Sequence, residues 1–201
     1  MTHDGGVTRI ISGQAGGRRL RTPAGGGTRP TSDRVREALF SALESRDAVQ
    51  GAHVMDLYAG SGALGLEALS RGAANVVLVE SARRAADLAR RNGRLVERAT
   101  GGSDGGATRR VQVRAEPVLR YLDGTPSPVD LAFLDPPYDL SETELARALA
   151  ALAPHLNPGA LVVVERSTRS PEPGWPAGGA AGLRRSARRY GETCVWFAES
   201  P

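Results

Sequence analysis

The sequence predicts an α/β domain built on a mostly parallel sheet with helices on both faces, preceded by a small N-terminal β-hairpin. Three observations predict it. From about residue 51, short apolar runs alternate with segments of helical periodicity. The runs are continuous in apolar character rather than alternating, as strands buried on both faces are. The carboxylates of two distinctive motifs fall at or near the ends of those runs, where right-handed crossovers collect strand C-termini on one edge.

Each element has its own signal. Val7 to Ser12 is β-branched, Gly13 to Gly17 breaks it, and Arg18 to Thr22 can return, so residues 7–23 read as a hairpin. Residues 24–29 form a glycine-rich linker. Pro30-Thr31-Ser32-Asp33 then carries helix-start signals, with Val35, Ala38, Leu39, Ala42 and Leu43 at helical spacing. Val54–Tyr58 is a strand and Ala63–Ser70 a helix; Val76–Val79 is the second strand, after which Ser81 can cap a helix running to about Arg98. In that helix Asn92 interrupts an otherwise apolar face. Val111–Val113, Val129–Leu134 and Leu161–Glu165 are further strands, with helices near 118–122 and 142–152 between them. Thr100 to Thr108 and Ser170 to Gly182 are rich in glycine or proline and read as mobile loops rather than domain boundaries. The division expected is a basic hairpin arm and linker over 1–30 and one catalytic domain over 31–201.

A chain of 201 residues and 21.1 kDa holds one well-packed domain with an appendage. It has no apolar run long enough to span a membrane, and its first residues carry no secretory signal. The single cysteine, Cys194, lies in a strand-like run and reads as a buried structural thiol, which fits a cytoplasmic protein. All 26 basic residues are arginine, which codon bias explains for the most part. Their placement is uneven: Arg9, Arg18, Arg19, Arg21, Arg29, Arg34 and Arg36 are opposed only by Asp33, and a second group comprises Arg184, Arg185, Arg188 and Arg189. Such clusters are either solvated faces or the electrostatic footprint of nucleic-acid binding.

Asp56-Leu57-Tyr58-Ala59-Gly60-Ser61-Gly62-Ala63-Leu64-Gly65 fits G-x-G-x-x-G at the end of a strand, with Glu80 ending the next strand. By spacing alone this is a dinucleotide fingerprint. Asp56 argues otherwise. A carboxylate ahead of the glycine loop repels a pyrophosphate, whereas S-adenosylmethionine carries no phosphate but has an ammonium and a sulfonium. The plainer role for Asp56 is a helix or loop cap. Glu80 suits ribose hydroxyls, and Glu116, after the third strand, is placed to meet an adenine amino group.

Asp135-Pro136-Pro137-Tyr138 follows the fourth strand. The amine of a nucleobase is a poor nucleophile because its lone pair is delocalised into the ring. Asp135 can accept one of its N–H bonds, and the carbonyl that follows, joined to a proline nitrogen, can accept another. The nitrogen lone pair is then turned toward an electrophilic methyl group, and the carboxylate stabilises the positive charge that develops. Two prolines keep the turn rigid, and Tyr138 offers a surface for stacking a base taken out of its helix.

The order of these two motifs resembles the class I S-adenosylmethionine-dependent amino-methyltransferases. Arg9-Ile10-Ile11-Ser12-Gly13, Gly17-Arg18, Arg29-Pro30-Thr31, Val35 to Phe40 and Arg189 to Thr193 resemble, more specifically, the RsmD family of 16S rRNA guanine-N2 methyltransferases. The resemblance covers nearly the whole chain. It implies a Rossmann-like, seven-stranded sheet with its last strand antiparallel, and methyl transfer to a guanine 2-amino group in bacterial 16S rRNA within an assembled or assembling small subunit. It also implies cofactor contacts at Asp56, Tyr58, Gly60, Gly62, Glu80, Glu116 and Asp135, and catalysis by Asp135, Pro136, Pro137 and Tyr138. RNA contacts are expected from Arg9, Arg18, Arg19, Arg21, Arg29 and Arg34. The expected partner is 16S rRNA or the small ribosomal subunit, with no membrane, no metal and a monomeric chain. The competing readings are a DNA adenine-N6 or cytosine-N4 methyltransferase and a noncatalytic RNA-binding assembly factor.

Overall fold

The computed structural model describes residues 6–23, 30–101, 110–124, 126–176 and 184–201. The linker at 24–29 with Arg29, residues 102–108 of the first expected loop and residues 177–182 of the second lie outside the described residues.

The apolar runs become strands β3 (His53–Leu57), β4 (Asn75–Val79), β5 (Val111–Arg114), β6 (Val129–Leu134) and β7 (Leu156–Ser167), all parallel. The sheet closes with β8 (Arg184–Tyr190) and β9 (Thr193–Glu199), giving seven strands in the order β5-β4-β3-β6-β7-β9-β8. The last strand, β9, runs antiparallel to both neighbours. The strand order reverses between β3 and β6, and such a switch point opens a crevice beyond the strand C-termini.

Strand pleating divides the core into two layers. Val54, Leu131 and Val163 face one side, where α1 (Pro30–Glu44), α2 (Ala63–Ser70) and α3 (Arg83–Ala99) pack. Met55, Ala132 and Val162 face the other, against α4 (Val118–Asp123) and α5 (Glu142–Leu152). Phe40 of α1 meets Phe133 at 5.7 Å between ring centroids, at the centre of the first layer. Cys194 is buried in β9, as a structural thiol should be.

One local expectation is corrected, and one strand was not anticipated. Ser81 does not cap α3: the helix starts at Arg83 behind an extended Ala82, and the Ala82 N–H donates to Glu80 Oε1 at 2.7 Å. Strand β8 had no apolar signal at all. Its sequence, Arg-Arg-Ser-Ala-Arg-Arg-Tyr, is exposed along all but its last residue, and it is a strand because β9 offers a full antiparallel ladder.

The N-terminal hairpin, β1 (Val7–Arg9) with β2 (Arg19–Arg21), is docked on the domain. Ile10 and Leu20 are buried in the same core layer as α1, α2 and α3. Glu67 of α2, completely buried, accepts the Ile11 and Ser12 N–H groups at 2.7 and 3.0 Å. Ser70 adds two contacts: its Oγ accepts the Ala15 N–H at 2.9 Å and donates to the Ser12 carbonyl at 2.6 Å. Asn92, the polar interruption of α3, accepts the Arg21 N–H and donates to the carbonyls of Arg21 and Ser61, joining the hairpin to the glycine loop. Gly13 has φ +81°, and a Cβ there would stand 2.1 Å from the Ser70 carbonyl oxygen, so only glycine permits this approach.

Candidate active site

Strand register places the two motifs side by side. Leu57 is level with Leu134 and Val79, so Tyr58, Asp135 and Glu80 occupy the next position on three neighbouring strand ends. Leu134 is level with Val164, which adds Glu165 to the same row. The crevice edge thus carries carboxylates from β4, β6 and β7, with Asp56 two positions lower on β3.

The chain leaves β3 through a turn with positive φ at Tyr58 (67°), Gly60 (55°) and Gly62 (83°). For an aromatic residue such a φ is a strained conformation, and strain of this kind collects at ligand sites. The two carboxylates of the motif hold the turn from below and beside. Glu80 Oε2 accepts the Gly60 N–H at 2.9 Å, and Asp56 Oδ2 accepts the Gly65 N–H at 2.9 Å. Gly65 is required by packing: a Cβ would lie 2.6 Å from Leu78 and 2.7 Å from Val76. Gly60 is different, since a Cβ there meets nothing within 4 Å. The open space above Gly60 is where a ligand can approach the backbone.

Asp56 is 1% exposed and acts as a loop cap in this structure. Burial, outweighing the Gly65 hydrogen bond and helped by the charges of Asp135 and Glu80, pushes its carboxyl up to about 7. A folded-state value above the unfolded one stabilises the fold fully at low pH, and this contribution is lost as pH rises through about 7. The whole effect is of the order of 4 kcal/mol. Asp56→Asn retains an acceptor for Gly65 and removes the charge. Chemical denaturation at pH 5 and pH 8 should therefore show the variant gaining stability over the parent at pH 8 and much less at pH 5. An equal difference at both values would refute the assignment.

Glu116 stands apart from this row. It pairs loosely with Arg120 at 3.8 Å and lines a groove with Gln112, Arg114 and Tyr121 on the α4 side of the sheet.

Beyond β6, Asp135, Pro136, Tyr138, Glu165, Ser167 and Thr193 line a cavity of about 280 Å³. Asp135 is open to water through the cavity mouth, though protein crowds its carboxylate from below, and its carboxyl is held above the usual range by that burial. Pro136 is buried, and the Pro137 carbonyl closes a turn by accepting the Leu140 N–H at 3.0 Å. Tyr138 is 90% exposed, whereas large apolar side chains elsewhere are mostly buried. An aromatic ring left in water beside a small cavity offers a stacking face.

Comparison with known proteins gives this geometry its context. A family model described as Conserved hypothetical protein 95 matches residues 8–199. The ribosomal RNA small subunit methyltransferase D of Escherichia coli K12 is 37% identical over 176 residues, covering 87% of this chain and 83% of that protein. The chain belongs to this methyltransferase family. The solved yhhF structure of Escherichia coli superposes with a TM-score of 0.77 at 30% identity, over 96% of this chain and 98% of that one. A structure complexed with SAH (S-adenosylhomocysteine) shares the fold alone, at a TM-score of 0.65 and 14% identity, over 91% of this chain and 54% of its own. The architecture is that of a class I methyltransferase.

On this methyltransferase fold the basic residues are distributed by strand alternation. Arg9, Arg19 and Arg21 occupy the outward positions of the hairpin while Thr8 and Leu20 point inward. Arg9 lies directly opposite Arg19, a like-charge pair that costs stability unless a counter-charge is near. Asp33 supplies part of it, 3.4 Å from Arg9. Arg18 and Arg34 are exposed as well, whereas Arg36 is buried and donates to Thr8, Asp33 and the Arg9 carbonyl. Sequence reasoning passed over Glu165 and Glu67. The available signal for Glu165 was an apolar run ending in an acid next to the Asp135 strand. Glu67 gave none, since an acid inside a helix is ordinarily solvated.

Proposed function

We propose that this protein transfers a methyl group from S-adenosylmethionine to the exocyclic 2-amino group of a guanine in the 16S rRNA of the small ribosomal subunit. The observation that carries the proposal is the row at the switch point: a glycine turn open above Gly60 beside a cavity holding Asp135 and Tyr138. The residues fit the cofactor. Glu80 keeps acceptor capacity for ribose hydroxyls while holding Gly60, and Asp56 and Glu80 give the turn a negative field suited to a cationic ligand rather than a pyrophosphate.

Bound at the turn, S-adenosylmethionine supplies an electrophilic methyl group on a cationic sulfur that keeps the bonding electron pair. Asp135 accepts an N–H of the base amine, orients its lone pair and stabilises the positive charge forming on nitrogen; the proton leaves through the same carboxylate. The Pro136 carbonyl accepts no hydrogen bond among the described residues and can take the second N–H. Tyr138 holds the unstacked base. Tyr138→Ala should weaken utilisation of RNA by about 10- to 100-fold, the equivalent of one base stack of roughly 1–3 kcal/mol. Cofactor affinity measured by titration should stay constant. A parallel loss of cofactor binding would contradict this role.

The docked hairpin, with Arg9, Arg18, Arg19, Arg21 and Arg34, serves the RNA backbone, and residues 1–30 work as an extension of the catalytic domain over 31–201. The protein acts in the cytoplasm as a monomer without a metal. Replacing Arg18 and Arg19 by alanine should lower RNA affinity and reduce the slope of log affinity against log salt by about 1 to 2, given about 0.7 to 0.9 per phosphate contact. An unchanged slope would remove the hairpin from the interface.

The deciding experiment is labelled methyl transfer to small subunits, free 16S rRNA and duplex DNA in parallel, with the modified nucleoside identified. N2-methylguanosine in subunits or rRNA is expected. N6-methyladenine or N4-methylcytosine in DNA would overturn the assignment.

A further inference from the structure

The Asp135–Tyr138 turn grips an exocyclic amine, yet guanine, adenine and cytosine all have one. Of the other acids lining the cavity, Glu192 lies near Arg169 and Glu165 bears on the choice. Asp135 and Glu165 follow the paired residues Leu134 and Val164 on adjacent parallel strands, about 4.8 Å apart. Pleating sends both side chains to the α1 face of the sheet, and both line the cavity. Glu165 is half-buried there, and among the described residues neither carboxylate accepts a hydrogen bond.

The nearby cations do not neutralise them. Arg166 is turned to Glu142 and the Leu140 carbonyl. Arg169 lies 3.8 Å from Glu192. Arg36 lowers the Glu165 carboxyl through space, but its hydrogen bonds go to Thr8, Asp33 and the Arg9 carbonyl. Burial and the charge of Asp135 outweigh it and keep Glu165 above the usual carboxylate range. Two carboxyls side by side in a small cavity resist ionising together, and donors that arrive with the ligand favour the ionised pair.

We propose that Glu165 is the specificity-determining residue for guanine, accepting the N1–H of the base while Asp135 holds its 2-amino group. This deepens the functional reading above and rests on it. The Watson–Crick edge of guanine presents N1–H and the 2-amino group as adjacent donors, which two carboxylates complement. Adenine and cytosine present a ring-nitrogen acceptor beside their amine. That acceptor would face the ionised Glu165 lone pair to lone pair and cannot hold the carboxylate pair ionised as the guanine donors do. The cavity of about 280 Å³ is near the lower bound of ligand pockets, room for one base.

The test uses small subunits reconstituted with rRNA in which the methylated guanine, once mapped, is replaced by 2-aminopurine. This analogue keeps the 2-amino group but has an acceptor at N1. The parent enzyme should prefer guanine by about 100-fold in kcat/KM, since a site built around a donor rejects its absence strongly. Glu165→Gln can donate an amide N–H to the N1 acceptor. It should methylate guanine about 30- to 100-fold more slowly and reduce the preference over 2-aminopurine to near unity or invert it. S-adenosylmethionine affinity by titration should match the parent, and the melting temperature should be no lower than the parent's. If the variant keeps the parent's preference, Glu165 does not read the base and the inference fails. If the parent methylates no small subunit or rRNA, the functional reading itself fails. A structural role alone would lower both substrates equally and would also count against the proposal.

Discussion

Asp135→Ala is expected to lower kcat by about 10³-fold while leaving S-adenosylmethionine affinity within about twofold, as loss of one preorganised electrostatic group at a reacting centre does. The separation is physical. The cofactor turn is built from β3 and β4, with Gly60 held by Glu80 and Gly65 by Asp56. Asp135 follows the end of β6 and contributes to the neighbouring cavity. Asp135→Asn keeps an acceptor but loses the charge, so an intermediate loss should follow, smaller by about tenfold. The parent should also lose activity on mild acidification. The reacting form needs the carboxylate, and burial beside Glu165 holds both carboxyls above the usual range. Protonation therefore begins at a higher pH than for a solvated acid. Single-turnover methyl transfer against pH, with cofactor titration alongside, checks all three outcomes. Full activity of the alanine variant would remove Asp135 from the chemistry.

The largest stability effect is expected at Glu67. Its carboxylate is completely buried, bonded to Arg71 Nε at 2.7 Å and to two N–H groups of the hairpin. Arg71 itself is nearly buried, pairs with Glu44 at 3.0 Å and lies over the Phe40 ring at 5.0 Å. Glu67→Ala leaves an arginine and two backbone donors without their main acceptor, a defect of about 3–5 kcal/mol. Glu67→Gln retains an acceptor and should cost roughly half of that. Denaturant titration gives the magnitude. Hydrogen exchange at the Ile11 and Ser12 amides gives the location, because the hairpin should open before the sheet does. A Glu67→Ala variant within about 1 kcal/mol of the parent would show that the hairpin is not anchored by this acid.

The elements that apolar periodicity could announce were legible in the chain. The helices Ala63–Ser70 and Glu142–Leu152 were expected at those bounds and are found there. Strand β7 was expected only over Leu161–Glu165, and it extends into Leu156–Ala160 and Arg166–Ser167 with β6 and β9 as its neighbours. Strand β8 was invisible, since edge-strand arginines read like any solvated charge run. Asn92 looked like a flaw in an apolar stripe, and it is the joint between α3, the hairpin and the glycine loop.

For the site, the sequence by itself determined what local chemistry can state: a strand ending in a glycine turn, a rigid Asp135–Tyr138 turn, an acid after each neighbouring strand. Those depend on residue type and near spacing, and the chain carries both. Only the tertiary structure decided which acids share a cavity and which do a mechanical task. Parallel register set Glu165 beside Asp135, put Asp56 beneath the loop as its cap and left Glu116 on the far side of the sheet with Arg120. The physical reason is that adjacency in a parallel sheet is made by crossovers that here begin at 17 residues, between β3 and β4, so no short-range pattern records it. Burial then changes what a carboxylate does, and burial belongs to the whole fold.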